Sequence, residues 1–390
     1  MRDDTKLARG GRESADGFKA VNPPVWRAST VLFDRVEAFD RRKDLRYDGF
    51  SYGTYGTPTT RALEEALAEI ENGSRAVVVS SGMAAITLCF MTFVRPGEHV
   101  LVPDSIYKTT RSFCDQLLAE FGIGVTYYDP HVGAGIEALI GPKTRLIFLE
   151  SPGSYTFEIQ DVPAIAAVAA RRGVITGIDN TWASPLFFKP LDHGVDVSIQ
   201  AATKYVSGHS DIMLGYLAVK DESLFRRIKD TVGQFGNCVS PDDCYMALRG
   251  LRTMGVRLRQ HEKTAKELVS WLSERPEVDR LLYPAWPEDP GHALWKRDFT
   301  GASGLFGVLL KPASAAAVAA MVEGMRFFGI GASWGGYESL MIPAYPKDYR
   351  TATAWHEEGP LLRIHAGLED AEDLKEDIAE GLARLSAAGK

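Results

Sequence analysis

Cysteine is scarce in this sequence: four residues of 390, Cys89, Cys114, Cys238 and Cys244. None stands in a Cys-x-x-Cys pair and no histidine cluster lies near them. That excludes a disulfide scaffold and the usual zinc spacings, and predicts buried or incidental thiols in a reducing compartment. Long apolar runs are lacking as well, since no stretch approaches the ~18 continuous apolar residues of a membrane span. The charged opening, Met1 to Lys6, leads to no apolar segment of the kind a secretory signal carries, so the expected location is the cytoplasm. Nor is there an excess of positive charge. Forty-four basic against fifty-one acidic residues leave −7, which argues against nucleic acid or an anionic membrane as partner. Internal repeats and low-complexity segments are absent, although residues 313–320 are rich in alanine.

What is present is a chain that alternates. Runs near 76–80, 98–102, 124–128, 145–149, 174–179, 195–201 and 215–219 read as strands, and helical patterns near 83–94, 106–121 and 161–172 separate them. Such alternation predicts an α/β fold with a mostly parallel seven-stranded sheet, right-handed crossovers and helices on both faces. Ahead of it, Thr60 to Asn72 carries Leu63, Leu67 and Ile70 on one helical face and meets Gly73, a natural left-handed C′ residue. A long helical pattern follows at 243–274. Beyond the loop Pro284–Gly291, the strand Gly304–Leu310 opens a smaller α+β C-terminal unit that ends in an amphipathic helix near 370–386. The expected organisation is an N-terminal arm (1–58), a large α/β domain (59–245) and the C-terminal domain (246–390). Gly10-Gly11 and Pro23-Pro24 break any helix in the arm, yet Val25, Trp26, Val31, Leu32 and Phe33 supply too much apolar surface to leave in water, so it is expected to pack on another subunit.

The chemistry gathers around one strand end. Val195, Val197 and Ile199 alternate with smaller or polar residues, and the run stops at Thr203-Lys204 before a polar loop with Gly208. A lysine there is aimed into the crevice of an open α/β sheet, where it can hold an aldehyde as a Schiff base. Another apolar run, Val174 to Ile178, ends in Asp179. Lysine and carboxylate on neighbouring strand ends are what pyridoxal phosphate needs: one for its aldehyde, the other to keep its ring nitrogen protonated. Upstream, Ala76 to Ser80 leads through Ser81-Gly82-Met83 into a helix start, whose free N–H groups and dipole make a phosphate cradle. Gly208-His209-Ser210-Asp211 is not a hydrolytic triad, because consecutive residues cannot converge on one substrate. The basic run Arg249, Arg252, Arg257, Arg259 and Lys263 is expected to face solvent or other subunits.

With these residues in view, the chain resembles the Cys/Met-metabolism pyridoxal-phosphate enzymes of fold type I, and within them the bacterial cystathionine β-lyases. The motifs are Val21-Asn-Pro-Pro-Val-Trp-Arg27, Tyr52-Gly-Thr-Tyr-Gly-Thr-Pro-Thr59, Glu150-Ser-Pro-Gly-Ser154, Ile178-Asp-Asn-Thr-Trp-Ala183, Ala202-Thr-Lys-Tyr205, Gly208-His-Ser-Asp211, Ser333-Trp-Gly-Gly-Tyr-Glu-Ser339 and Arg363-Ile-His-Ala-Gly-Leu-Glu-Asp370. The resemblance implies pyridoxal 5′-phosphate on Lys204, its ring under Tyr107 and against Asp179. Its phosphate would lie at Ser81, Gly82 and Met83, beside Thr203, with Tyr52 and Thr54 reaching in from a neighbouring subunit. Substrate would meet Arg363, Ser333, Trp334 and Ser154, the arginine gripping an α-carboxylate. A homotetramer built as a dimer of dimers is implied, with a small sulfur amino acid as substrate. The sequence departs from the family in one place: an arginine is usual where Thr54 stands, and Arg61 is a candidate substitute.

Trp182, Gly153-Ser154, Trp334 and Tyr337 look like the β-acting version of these motifs, whereas γ-acting relatives usually carry Phe, Asn, Leu and Val there. The implied activity is therefore elimination from L-cystathionine to homocysteine, pyruvate and ammonia, as in methionine biosynthesis. Ala332, where the enterobacterial β-lyase has tyrosine, leaves room for other cysteine conjugates. Cystathionine γ-lyase or γ-synthase activity, amino-acid racemisation and an inert cofactor-binding protein are the alternatives.

Overall fold

In the computed structural model, which describes residues 1–12 and 20–388, the alternation closes into one seven-stranded sheet. Its strands are β1 (Arg75–Val79), β2 (His99–Pro103), β3 (Gly124–Tyr128), β4 (Thr144–Glu150), β5 (Ile175–Asp179), β6 (Val197–Gln200) and β7 (Gly215–Val219), in the order β1-β7-β6-β5-β4-β2-β3. Pairing is parallel from β3 through β2, β4 and β5 to β6, and β7 runs against both its neighbours. Side chains along a strand divide between two cores: Val77 and Val79 enter one, Ala76 and Val78 the other, and Leu146 and Phe148 likewise oppose Ile147 and Leu149. With both faces covered, polar residues have no side to occupy, which is why these strands read as continuous apolar runs.

The covering helices begin and end on local chemistry. Pro58–Ile70 starts at Thr57, whose hydroxyl accepts the Thr60 N–H at 3.3 Å, with proline in the first position where its missing N–H costs nothing. At the other end the left-handed residue is Asn72 (φ 54°), not Gly73 as the sequence suggested. The Gly73 N–H closes onto Ala68 O at 2.9 Å, and glycine is needed there because a Cβ would lie 3.0 Å from the Val219 carbonyl of β7. The helix expected over 106–121 is α-helical over Lys108–Phe113 and opens into a π-turn at Cys114–Leu118.

Strands β8 (Val278–Leu282), β9 (Leu305–Leu310), β10 (Leu340–Ala344) and β11 (Leu361–His365) form an antiparallel sheet in the order β10-β11-β9-β8. The helix Pro241–Leu272 packs on Pro58–Ile70 at one end and meets the C-terminal helix Ala371–Ala388 as well as β8. Residue 245 lies near its start, so an unbroken helix links the large sheet to the small one.

One expectation divides here. Of the basic run on Pro241–Leu272, Arg249, Arg259 and Lys263 are exposed as expected, whereas Arg252 is half-buried and Arg257 is buried. Arg252 donates to the carbonyls of Leu7 and Gly10, Arg259 pairs with Asp4, and Arg257 is buried against the loop after Lys204, donating to Gly250 O at 2.8 Å. The first residues also find partners within the chain: Asp3–Arg9 is a helix that packs against Pro58–Ile70 and Pro241–Leu272. All four cysteines are free thiols, and all but Cys238 are buried. Among the described residues no helix is long and apolar enough to cross a membrane.

Candidate active site

The C-terminal ends of β4, β5 and β6 open into a cavity of about 400 Å³, roofed by β11 and the loop before β10. Open α/β sheets bind ligands in this crevice. Lys204 stands in its wall, its Nζ 2.5 Å from Ser333 Oγ and 5.5 Å from the centre of the Trp334 ring. Burial, then the nearby positive charge of Arg363, lowers its pKa from 10.5 to about 8. The loop carrying Ser333 lies directly on the lysine: Gly335 has φ +86°, and a Cβ there would come within 3.0 Å of Lys204 Cβ. Only glycine serves there, so the loop that positions Ser333 is fitted to the lysine.

Asp179 closes β5 and faces the same cavity. Its Oδ1 accepts both the N–H (3.0 Å) and the hydroxyl (2.5 Å) of Thr181, while its Oδ2 takes no hydrogen bond from the described residues. Burial raises its pKa, with Thr181 and Lys204 pulling the other way. A protonated ring nitrogen would supply the missing partner to Oδ2. The phosphate end fits equally well. Ser81 caps the helix Gly82–Phe93 by accepting the Ala84 N–H at 3.0 Å, which leaves the N–H groups of Gly82 and Met83 unpaired at the cavity wall. Gly82 is constrained from behind, since a Cβ would sit 2.4 Å from Ala201 Cβ. A dianionic phosphate is the kind of group that such a helix start binds.

Arg363, on β11 between Ile342 and Gly307, is buried and donates from Nη2 to the carbonyls of Gly331 (3.1 Å) and Ser333 (3.0 Å). Its remaining N–H groups are free to take an anion. Tyr107 is 40% exposed at the cavity rim, and Ser154 donates its hydroxyl to Glu150 at 2.5 Å. Thr203 lines the cavity, but its hydroxyl accepts the Leu214 N–H (2.9 Å) and donates to Leu214 O (3.2 Å). That engagement makes it first a brace for the lysine loop.

Three residues lie elsewhere. Tyr52 and Thr54 do not line this cavity, and Tyr52 is 49% exposed. The Arg61 guanidinium is held by the carbonyls of Asp48 and Gly49, away from the site. Nor do His209 and Ser210 combine: His209 contacts Ser207 O, and Ser210 donates to Glu338.

Among the cavity residues without a role in the sequence reading are Glu150 and Tyr155. Glu150, at the end of β4, is in register with Asp179 and receives the Tyr107 N–H at 2.8 Å. Tyr155 sits in the left-handed region (φ 66°) with its ring 5.7 Å from the Arg363 guanidinium. Glu150 was within reach, since it opens the Glu-Ser-Pro-Gly-Ser motif; Tyr155 gave no signal, because positive φ at a tyrosine is imposed by its surroundings.

A lysine of lowered pKa just past one strand end, a carboxylate at the end of the next strand and an open helix start define a fold-type-I enzyme of the pyridoxal-phosphate class. The chain belongs to the Cys/Met metabolism PLP-dependent enzyme family, whose model matches residues 4–383. It is 49% identical over 387 residues to a putative cystathionine β-lyase of Rhizobium johnstonii (98% of this chain, 96% of that protein). It is 42% identical over 391 residues to the cystathionine β-lyase of Escherichia coli, covering 98% of each. An L-alanine/L-glutamate racemase of Wolbachia pipientis is 41% identical over 397 residues, 99% of this chain and 98% of that one. Among solved structures, the cystathionine γ-synthase of Xanthomonas oryzae pv. oryzae in complex with cystathionine superposes with a TM-score of 0.89 at 32% identity, covering 99% of each chain.

Proposed function

We propose that this chain is a carbon–sulfur lyase that converts L-cystathionine to homocysteine, pyruvate and ammonia. The observation that carries this reading is the placement of Lys204 and Arg363 in one cavity, both hydrogen-bonded to Ser333, in a chain whose relatives at 42–49% identity bear the β-lyase name. When bound, pyridoxal phosphate supplies an electron sink for the α-carbon of an amino acid. Lys204, Asp179 and the Ser81-Gly82-Met83 helix start are the groups that would hold it.

The chain's own residues do the rest. Arg363 takes the α-carboxylate, and because two strands and two carbonyls fix its guanidinium, it sets the angle at which the α-carbon is presented. Lys204, with a pKa near 8, exists in useful amounts as the free amine at neutral pH and can remove the α-proton. Ser333, donor or acceptor beside it, keeps the amine turned toward the cavity. The proton that Lys204 gains is available to the departing sulfur. Trp182 walls the cavity with its indole N–H fixed to Leu305 O at 2.9 Å, a rigid surface against which a substrate must fit.

The decisive experiment is product identification with L-cystathionine. Pyruvate and homocysteine are expected, and Lys204→Ala should abolish both; 2-oxobutyrate and cysteine would assign γ-elimination instead. Ala332 in the wall favours a second, broader reading in which other cysteine thioethers are accepted too, read from pyruvate release with S-alkyl cysteines. Racemisation is separated by incubating L-alanine and measuring the D-enantiomer.

The site is also proposed to be completed by a second copy. Leu32, 91% exposed, and Val36, 76% exposed, present apolar surface on the arm that carries Tyr52, and Tyr52 does not reach its own chain's cavity. Residues 1–58 form that arm in this reading, 59–245 the cofactor domain and 246–390 the C-terminal domain. Dimer pairs stacked as a tetramer, working in the reducing cytoplasm to which free thiols are suited, complete the proposal.

A further inference from the structure

We propose that Glu150 is a positioning residue of this site, which holds Tyr107 and Ser154 in place and, from the register position opposite Asp179, governs the charge on that carboxylate. The inference rests on the cofactor reading above and adds to it a residue to which no role is otherwise assigned.

The geometry is that of a paired strand end. β4 and β5 are parallel and in register, so Glu150 and Asp179 are direct neighbours that project to the same face, about 5 Å apart at the backbone. Glu150 is buried and Asp179 half-buried. Glu150 uses its two oxygens separately: Oε2 accepts the Tyr107 N–H at 2.8 Å and Oε1 accepts the Ser154 hydroxyl at 2.5 Å. The first bond fixes the backbone from which the Tyr107 ring leans over the cavity; the second turns Ser154 along its side. Two of the cavity's walls are therefore referred to one carboxyl group.

Two carboxylates side by side cannot both ionise at low cost. Glu150 is faced by Asp179 from β5, by Tyr107 from the head of the Lys108–Phe113 helix, and by Tyr155 and Tyr349 from the loops above, with Lys204 and Arg363 beyond them. No cation touches Glu150 itself, whereas Asp179 feels Lys204. The proton therefore resides on Glu150, whose pKa burial and then Asp179 push up to about 8, and Asp179 is left as the anion. A neutral Glu150 keeps Asp179 free to hold a cationic ring nitrogen; an ionised Glu150 puts a second negative charge beside it.

The test uses the full-length enzyme loaded with pyridoxal phosphate and follows its visible absorbance from about pH 6.5 to about pH 9.5. Cofactor affinity is measured separately by dilution. Glu150→Gln mimics the neutral acid, so it should load within about threefold of wild-type affinity, and the absorbance change expected of wild type near pH 8 should vanish or move by about half a unit or more. Glu150→Ala loses the anchor as well, and should weaken cofactor binding about tenfold. A Glu150→Gln titration that overlays wild type, or a Glu150→Ala protein that binds cofactor as tightly as wild type, overturns the proposal while leaving the cofactor reading intact. A wild-type chain that gains no visible absorbance with pyridoxal phosphate overturns the reading beneath it, and this proposal with it. Circular dichroism on both variants separates a misfolded protein from a weakened site, and Glu150→Gln remains informative if Glu150→Ala does not fold.

Discussion

At the residue scale, the site works by withholding water from charges that need partners. The pKa of Lys204 is lowered to about 8 because burial and Arg363 both oppose its positive form. Arg363, always charged, is held by two carbonyls and left with donors to spare. A planar fork matches a carboxylate in a way that a point charge does not. Arg363→Lys should therefore raise KM for L-cystathionine about tenfold or more while cofactor loading, read by visible absorbance, stays as in wild type. Equal KM values in the two proteins would remove Arg363 from the carboxylate pocket.

At the element scale, the large sheet carries another buried acid, far from the cavity. Glu71 caps the helix Pro58–Ile70 and is wholly buried. Its Oε1 accepts the Tyr216 hydroxyl at 2.7 Å and a longer bond from Gln200 at 3.4 Å, and its Oε2 has no partner. Burial raises its pKa from 4.5 to about 7, outweighing those hydrogen bonds and Lys189. A folded-state pKa above the unfolded one means that the folded chain holds the proton more tightly. Its stabilising effect is thus complete below about 4.5 and is lost as pH rises through about 7. The loss amounts to roughly 3 kcal/mol by linkage. Glu71→Gln fixes the neutral form, so its urea midpoint should exceed that of wild type at about pH 8.5 by more than at about pH 5.5. Parallel pH dependence in the two proteins would show that Glu71 is already ionised in the fold.

At the scale of the whole molecule, the two sheets are clamped across the cavity by buried ions. Asp104, between β2 and the Lys108–Phe113 helix, accepts the N–H groups of Thr351, Ala352 and Thr353 and pairs with Arg111 at 2.8 Å; Arg350 meets Glu158 from the other side. The segment that holds these contacts joins β10 to β11, so the Arg363 strand is tethered to the cofactor sheet. The arm is the other large-scale feature. On the proposed assembly, replacing Leu32 and Val36 together by aspartate should lower the mass measured by light scattering and weaken cofactor retention, since Tyr52 would then lack a neighbour to reach. An unchanged mass with the double variant would mean that these side chains are not at an interface.

The sequence by itself determined the class of this protein. Periodicity located all seven strands of the large sheet, because strands buried on both faces must be apolar throughout, and it pointed to Asp179 at the end of β5 and Lys204 just past β6 as the candidate site. It also located Arg363 and the Ser81-Gly82-Met83 turn. Tertiary structure decided what depends on neighbours distant in the chain. The left-handed residue after Pro58–Ile70 is Asn72 because Gly73 must lie against β7, and Arg252 of Pro241–Leu272 turns to the carbonyls of Leu7 and Gly10 because the N-terminal helix docks beside it. Glu150 and Asp179 face each other only because β4 and β5 align in register. That alignment is a property of packing, and with it comes the environment that sets where the protons reside.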